Sequence, residues 1–255
     1  MNIYKIWLEY KGTRFSGFQV QSSALTIQGE LNTALSTIAK TTEIKTIGSG
    51  RTDAGVHAFA QVVKIEMPLE INPDGLMRAL NSHLPPDIRV KKAESSSSDF
   101  HPIFSALSKE YNYVFATQEV ASVFGHELMT IVPYELDIDL MRRGCQIFCG
   151  QHDFINYQCT GTEVQSTVRT IFSCDIEEFI ADGHWSGVAS KYYVLKIVGD
   201  GFLKQMVRLI MGALFNLGRH KIKLEDIENS FNSPLKNRLG PTAPPQGLYL
   251  KKVHY

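Results

Sequence analysis

The segment spanning residues 48–58 constrains the fold of this chain most strongly, because its glycines flank a single acidic residue, Asp53. Those glycines are Gly48, Gly50 and Gly55. Glycine adopts backbone conformations that other residues avoid and lets the main chain approach a ligand closely, so the segment predicts a sharp loop with Asp53 at its tip. Residues 61–66 then alternate between apolar and polar side chains, which is typical of a strand. A loop anchored by a strand presents its side chains in fixed positions.

Two roles are open for Asp53. An aspartate that precedes a small residue and a glycine often bonds nearby backbone N–H groups and simply forms a turn. Arg51 favours a chemical role, because a guanidinium beside a carboxylate holds the carboxylate ionised. Asp53 is therefore the leading candidate for a catalytic group, with Arg51 as its neighbour.

Composition limits the class of protein. The chain has 255 residues, of which 44% are hydrophobic, enough for one large domain or two small ones with real cores. The first ten residues alternate and include charges, unlike a signal segment, and no apolar run is long enough to span a membrane. The 4 cysteines fit a reduced cytoplasmic protein better than a disulfide scaffold. We therefore expect a cytoplasmic protein without a membrane partner.

A metal site is not expected. Cys145 and Cys149 are spaced four residues apart, but Cys145 falls within a helical apolar series and favours core packing. Residues 48–50 lack the Lys and Ser/Thr of a phosphate-binding loop. The sequence thus predicts neither a metal nor a small-molecule cofactor.

Local patterns predict an α+β fold with mainly antiparallel sheets. Thr26, Asn72 and Asp137 have the side chains and positions of helix N-caps. Alternation predicts strands over residues 1–10, 107–115, 169–179, 192–198 and 248–253. A buried helix is predicted to begin near Phe202, with Lys204 and Arg208 on one of its faces.

The distribution of charge is uneven, although Lys plus Arg and Asp plus Glu each number 26. From Gly201 to the C-terminus 9 basic residues face 3 acidic ones, a balance of +6. Such a segment suits either contact with phosphates or an ordinary solvated surface. The neutral total by itself argues against a strongly basic RNA-binding domain.

Motifs along nearly the whole chain resemble the tRNA pseudouridine synthase A family. The glycine-rich segment, residues 50–58 followed by Gln61, resembles the family signature, and the other landmarks occur in order. They are residues 10–19, Leu80-Asn81, 84–88, Phe100-His101, Lys109, Tyr111, Tyr113, 150–154, Arg169-Thr170-Ile171, 201–203, 206–208, Ala243-Pro244 and Gly247-Leu248. Each motif is weak alone, but the ordered set is specific.

The resemblance implies a fold and a function. It implies two similar αβ halves, 1–104 with the catalytic loop and 105–255, whose sheets join around a central catalytic cleft. The implied activity is isomerisation of uridine to pseudouridine in tRNA, at positions 38, 39 and 40 of the anticodon stem-loop. By analogy with the family, the protein is expected to be a homodimer that binds tRNA.

The resemblance also assigns roles to residues. It implies that Asp53 is the catalytic nucleophile, that Arg208 pairs with its carboxylate, and that Tyr111 stacks on the target base. Lys109 shares strand parity with Tyr111, which makes it a candidate for substrate binding together with Lys204. Arg51 is a candidate to fill the space that a flipped nucleotide vacates.

One departure and three alternatives accompany this interpretation. Pro102-Ile103 stands where the family usually has Ala-Arg, so a basic group is missing. The alternatives are a synthase for other RNA sites, an RNA-binding protein without turnover, and a carboxylate-dependent hydrolase. No motif places a second acid beside Asp53, although His57 is close in sequence.

Overall fold

The computed structural model describes residues 1–119, 121–159, 161 and 164–255. Its strands are β1 (Asn2–Tyr10), β2 (Lys45–Gly48), β3 (His57–Met67), β4 (Ile88–Ser95), β5 (Ser108–Thr117), β6 (Thr130–Val132), β7 (Gly150–Asp153), β8 (Val168–Ile180), β9 (Lys191–Gly199) and β10 (Leu248–His254). Its α-helices are α1 (Ile27–Ala39), α2 (Pro73–His83), α3 (Ile138–Ile147), α4 (Met206–Gly218) and α5 (Leu224–Asn229). The predicted α+β class with mainly antiparallel pairing is confirmed.

Two compact units make up the chain: residues 1–107 with 249–255, and residues 108–248. In the first unit, β1 lies between β4 and β3 and is antiparallel to both. The other edge of β3 pairs with β2 antiparallel and, at its first residues, with β10 in parallel. The glycine-rich segment therefore joins two strands of one sheet.

The core of the first unit follows from the alternation of β1. Ile6 and Leu8 are fully buried on one face, and the apolar stripes of α1 and α2 supply further core residues. Both predicted caps are confirmed: Thr26 Oγ1 accepts from Gly29 N at 3.2 Å, and Asn72 Oδ1 accepts from Asp74 N at 3.0 Å. These caps satisfy N–H groups that a helix start leaves without partners.

In the second unit, β9 lies between β5 and β8, and β7 pairs with β8. Asp137 caps α3 as predicted, its Oδ1 accepting from Leu140 N at 2.8 Å. Helix α3 contacts β8, α4 and α5, and α4 is buried around most of its circumference. Cys145 is fully buried, which confirms its predicted packing role.

Candidate active site

The Asp53 loop, residues 49–56, connects β2 to β3 and is fastened at its start by a buried polar network. Ser49 Oγ donates to Gln61 Oε1 at 2.6 Å, and Gln61 Nε2 donates to the carbonyl of Gly50 at 2.7 Å. Ser49 and Gln61 are both fully buried. Buried polar groups are costly without partners, so this network holds the loop in one conformation.

The middle of the Asp53 loop is held by residues from the N-terminal motif. Phe18 N donates to the carbonyl of Thr52 at 3.1 Å, and the Thr52 hydroxyl hydrogen bonds to the buried Tyr10 hydroxyl at 2.8 Å. Gly55 N donates to the carbonyl of Phe15 at 3.2 Å. The backbone on both sides of Asp53 is thus fixed by a second chain segment.

Two glycines explain why the loop and the N-terminal motif approach so closely. Gly55 has φ +78°, a conformation that side chains with Cβ rarely adopt. Gly17 has φ +97°, and a Cβ there would lie 2.7 Å from the carbonyl oxygen of Thr52. The close packing against the backbone of Asp53 requires glycine at position 17.

The side chains of this loop differ in exposure. Asp53 is partly buried, while Arg51 is exposed, and among the residues that the structure describes no ion pair involves the guanidinium of Arg51. The structure therefore does not bring Arg51 into the charge pairing with Asp53 that the sequence suggested. An exposed guanidinium is instead available to contact a ligand.

The ring of His57 is held in place by contacts within the first unit. It is buried, its Nδ1 accepts from Gly12 N at 3.0 Å, and its ring stacks on Tyr249 with the centroids 4.7 Å apart. Because a backbone N–H occupies Nδ1, this geometry gives no support to the hydrolase alternative, in which His57 would assist Asp53.

In the second unit, β5 places the predicted substrate contacts on one face. Tyr111 is buried, and its ring meets that of Phe202 edge to face at a centroid distance of 5.0 Å. Lys109 is partly buried; desolvation and then the positive charge of Arg169 lower its pKa. Arg169 belongs to a sequence motif, but its position next to Lys109 was missed, because the strand register that sets it cannot be read from either segment.

The prediction for the helix after Gly201 was wrong at its start. Helix α4 begins at Met206 and is preceded by Gln205 with φ +64°, so Lys204 is exposed in the preceding turn and does not share a helical face with Arg208. Arg208 lies in the first turn, where its Nε donates to the carbonyl of Ala243 at 2.7 Å. The backbone partner that a guanidinium among apolar residues requires is thus supplied by the segment before β10.

Neither a metal centre nor a membrane span is found within the described ranges. No group of three or more His, Cys, Asp and Glu side chains is arranged to hold a metal ion. No helix among those residues is both long and apolar enough to cross a bilayer. The four cysteines, Cys145, Cys149, Cys159 and Cys174, form no disulfide bond within the described residues.

Comparison with known proteins identifies the class to which this fold and this loop belong, that of RNA pseudouridine synthases, which are isomerases. The family model for tRNA pseudouridine synthase matches residues 6–105 and 145–255, and the chain belongs to this family. The resemblance inferred from the motifs is therefore confirmed.

Curated relatives extend the match to nearly the full length. The tRNA pseudouridine synthase A of Geobacillus sp. (strain WCH70) is 38% identical over 251 residues, covering 98% of this chain and 97% of the relative. That of Bacillus subtilis (strain 168) is 39% identical over 252 residues, covering 98% of each. The tRNA pseudouridine synthase A 2 of Desulfotalea psychrophila is 36% identical over 263 aligned residues, covering 99% of this chain and 98% of the relative.

Proposed function

We propose that this chain converts uridines 38, 39 and 40 in the anticodon stem-loop of tRNA to pseudouridine, with Asp53 as the catalytic residue. Membership of the family supports tRNA as the substrate. The observation that carries the assignment of Asp53 is the support of its loop. The carboxylate is presented between backbone groups that Phe15 and Phe18 hold in place, next to Thr52, whose hydroxyl hydrogen bonds to Tyr10.

The reaction requires little beyond a well-placed carboxylate. The bond between N1 of uracil and C1′ of ribose breaks, the base rotates, and a bond forms between C5 and C1′. The C5 proton leaves to solvent, N1 gains a proton, and no electrons are exchanged with a redox partner. Three routes remain open for Asp53: addition to the base, attack at C1′, or removal of a sugar proton. Each needs an ionised carboxylate shielded from water.

The remaining candidates take roles around this reaction. We assign Arg208 to the catalytic carboxylate as its cationic partner on the basis of family membership alone. Tyr111 is assigned to the target base, with Lys109 and Lys204 contacting the RNA. Arg51 is exposed, so it could fill the space that the flipped nucleotide vacates in the base stack, or contact a phosphate.

Two further expectations rest on the family alone. We propose that the protein is a homodimer and that it acts in the cytoplasm. Light scattering of the purified protein measures the first directly: a mass of twice 28.6 kDa supports the dimer, and a monomer contradicts it.

The deciding experiment measures tritium release from unmodified tRNA that carries 5-tritiated uridine, since release requires substitution at C5. Asp53→Asn should abolish release while tRNA affinity stays within a few-fold. Glu43→Gln removes one exposed acid from the same unit and should release tritium as the parent does. Full activity of Asp53→Asn would refute the role of Asp53.

A second substrate tests the site choice. In a transcript that lacks uridine at positions 38, 39 and 40, release should disappear. Unchanged release would mean that other uridines are modified. Tight binding without release from either tRNA would indicate an RNA-binding protein without turnover.

A further inference from the structure

One face of the β5–β9–β8 sheet in the second unit carries two cationic side chains and one aromatic side chain. Lys109 on β5 and Ile171 on β8 both pair with Gly199 of β9, one on each side. Directly paired residues and residues two apart in a strand point to the same face. Tyr111, Lys109 and Arg169 therefore lie on one face, and Gly199 places no side chain between the two cations.

Arg169 is held rigidly along one edge of its guanidinium. Its Nη1 donates to the carbonyl of Ser166 at 2.9 Å and to that of Val168 at 2.6 Å. Within the part of the chain that the structure describes, Nε and Nη2 make no hydrogen bond and the guanidinium makes no ion pair. A planar group fixed on one side thus offers two parallel N–H donors on the other.

The backbone beside Arg169 leaves this donor edge uncovered. A Cβ at Gly201 would lie 3.6 Å from Arg169 Nε and 3.7 Å from its Cδ, so any side chain at this position would pack against the donor edge. Glycine at 201 keeps the space in front of Nε accessible to a ligand.

The local charge balance indicates what this space attracts. The positive charge of Arg169, together with burial, lowers the pKa of Lys109, so the two cations disfavour each other in the free protein. Two carboxylates on the neighbouring strand ends bond to backbone N–H groups: Asp200 Oδ1 accepts from Thr170 N at 3.0 Å, and Asp153 Oδ1 accepts from Ile155 N at 3.0 Å. An anion between Lys109 and Arg169 would relieve this repulsion.

We propose that Arg169 and Lys109 bind a phosphodiester group of the substrate RNA, adjacent to the nucleotide whose base contacts Tyr111. Arginine binds phosphate through two parallel N–H donors, and lysine adds a compact charge. The proposal rests on the proposed function, because it takes the same RNA as its ligand, and it adds Arg169 as an RNA-contacting residue.

The test compares Arg169→Gln with Arg143→Gln in tRNA binding as a function of KCl concentration. Arg143 is an exposed arginine of the same unit, on α3, and its substitution removes the same charge. Loss of one phosphate contact should lower the slope of log Kd against log salt by about 1 and weaken binding about tenfold. Arg143→Gln should keep the parental slope. An Arg169→Gln variant that also keeps that slope, with a parental melting temperature, would overturn the proposal.

A chemical substitution in the RNA identifies the phosphate. A full-length tRNA is assembled with one neutral methylphosphonate linkage, placed in turn at each position of the anticodon loop. The parent protein should lose about tenfold in affinity at one linkage, and Arg169→Gln should lose no more there, because the two changes remove the same contact. Equal losses for both proteins at every linkage would refute a phosphate contact by Arg169. If the parent protein binds inorganic phosphate but no methylphosphonate linkage lowers its affinity for tRNA, the site binds free anions. That result would equally refute a phosphate contact by Arg169.

Activity measurements show whether the phosphate contact or the proposed function fails. If the parent releases tritium and Arg169→Gln lowers kcat/KM about tenfold with kcat nearly unchanged, both stand. If the parent binds tRNA with the Arg169-dependent slope but releases no tritium, the phosphate contact stands and the isomerase assignment to this substrate fails. If the parent releases tritium and Arg169→Gln has parental kcat/KM, the phosphate contact fails alone.

Discussion

Replacing Gly17 with alanine should disable the Asp53 loop while leaving the chain folded. The new Cβ would lie 2.7 Å from the carbonyl oxygen of Thr52 and 3.3 Å from the carbonyl carbon of Asp53. Neither atom belongs to a flexible side chain, so the loop backbone itself must move. A positive φ of 97° adds conformational strain for any residue with a Cβ.

The expected loss of stability follows from the backbone strain and from the overpacking. Backbone strain costs about 1–3 kcal/mol and overpacking against a fixed neighbour about 1–3 kcal/mol, so the free energy of unfolding should fall by about 2–6 kcal/mol. Displacement of a catalytic group by a fraction of an ångström to one ångström lowers kcat by up to about 10²-fold. Urea denaturation and single-turnover tritium release measure the two effects separately.

Gly183→Ala provides the matched control. Gly183 also has a positive φ, 55°, but no atom of the described residues would lie within 4 Å of a Cβ there. It should cost about 1–2 kcal/mol of stability from conformation alone and leave kcat unchanged. If Gly17→Ala matched this control in both stability and kcat, the packing of Gly17 against Thr52 would not position the loop.

Two further predictions concern buried groups. Gln61→Leu would leave the buried carbonyl of Gly50 without its side-chain donor, while Ser49 Oγ keeps the bond from Val62 N. We therefore expect a loss of about 1–3 kcal/mol in the free energy of unfolding together with reduced kcat, and an unchanged urea midpoint would contradict this role of the network. Arg169→Gln should move the pKa of Lys109 back toward 10.5 without fully restoring it, since burial is the larger cause of the lowering, and NMR titration of the lysine side chain measures this. Because the lowered pKa makes the unfolded chain bind more protons between that pKa and 10.5, the destabilising contribution of Lys109 should decrease as the pH rises across this interval.

Features that depend on neighbouring residues were predictable from the sequence. The caps Thr26, Asn72 and Asp137 each bond an N–H group within three residues, so residue type and spacing were sufficient. The glycine spacing likewise predicted a sharp loop around Asp53. Such local chemistry is visible without knowledge of the tertiary structure.

Features set by distant partners were not predictable. The apolar pattern after Gly201 continues unbroken, yet Gln205 in a left-handed conformation delays the helix to Met206 and moves Lys204 off it. Strand β2 has four residues and exists because β3 pairs with it. So short a strand is not predicted by alternation of apolar and polar residues. The donor edge of Arg169 depends in the same way on carbonyls and glycines brought together by strand register.

The Asp53 loop depends on the N-terminal motif as much as on its own sequence. Tyr10, Phe15 and Phe18 bond to residues on both sides of Asp53, although they lie some 35 or more residues earlier in the chain. Positioning of the reacting groups contributes strongly to rate, and a loop with only local bonds would fluctuate around its own turn. The two motifs therefore act as one structural unit: residues 10–18 determine where the carboxylate lies, and residues 49–56 supply it. Substitutions in residues 10–18 that displace Thr52 or Gly55 should accordingly lower kcat in single-turnover tritium release.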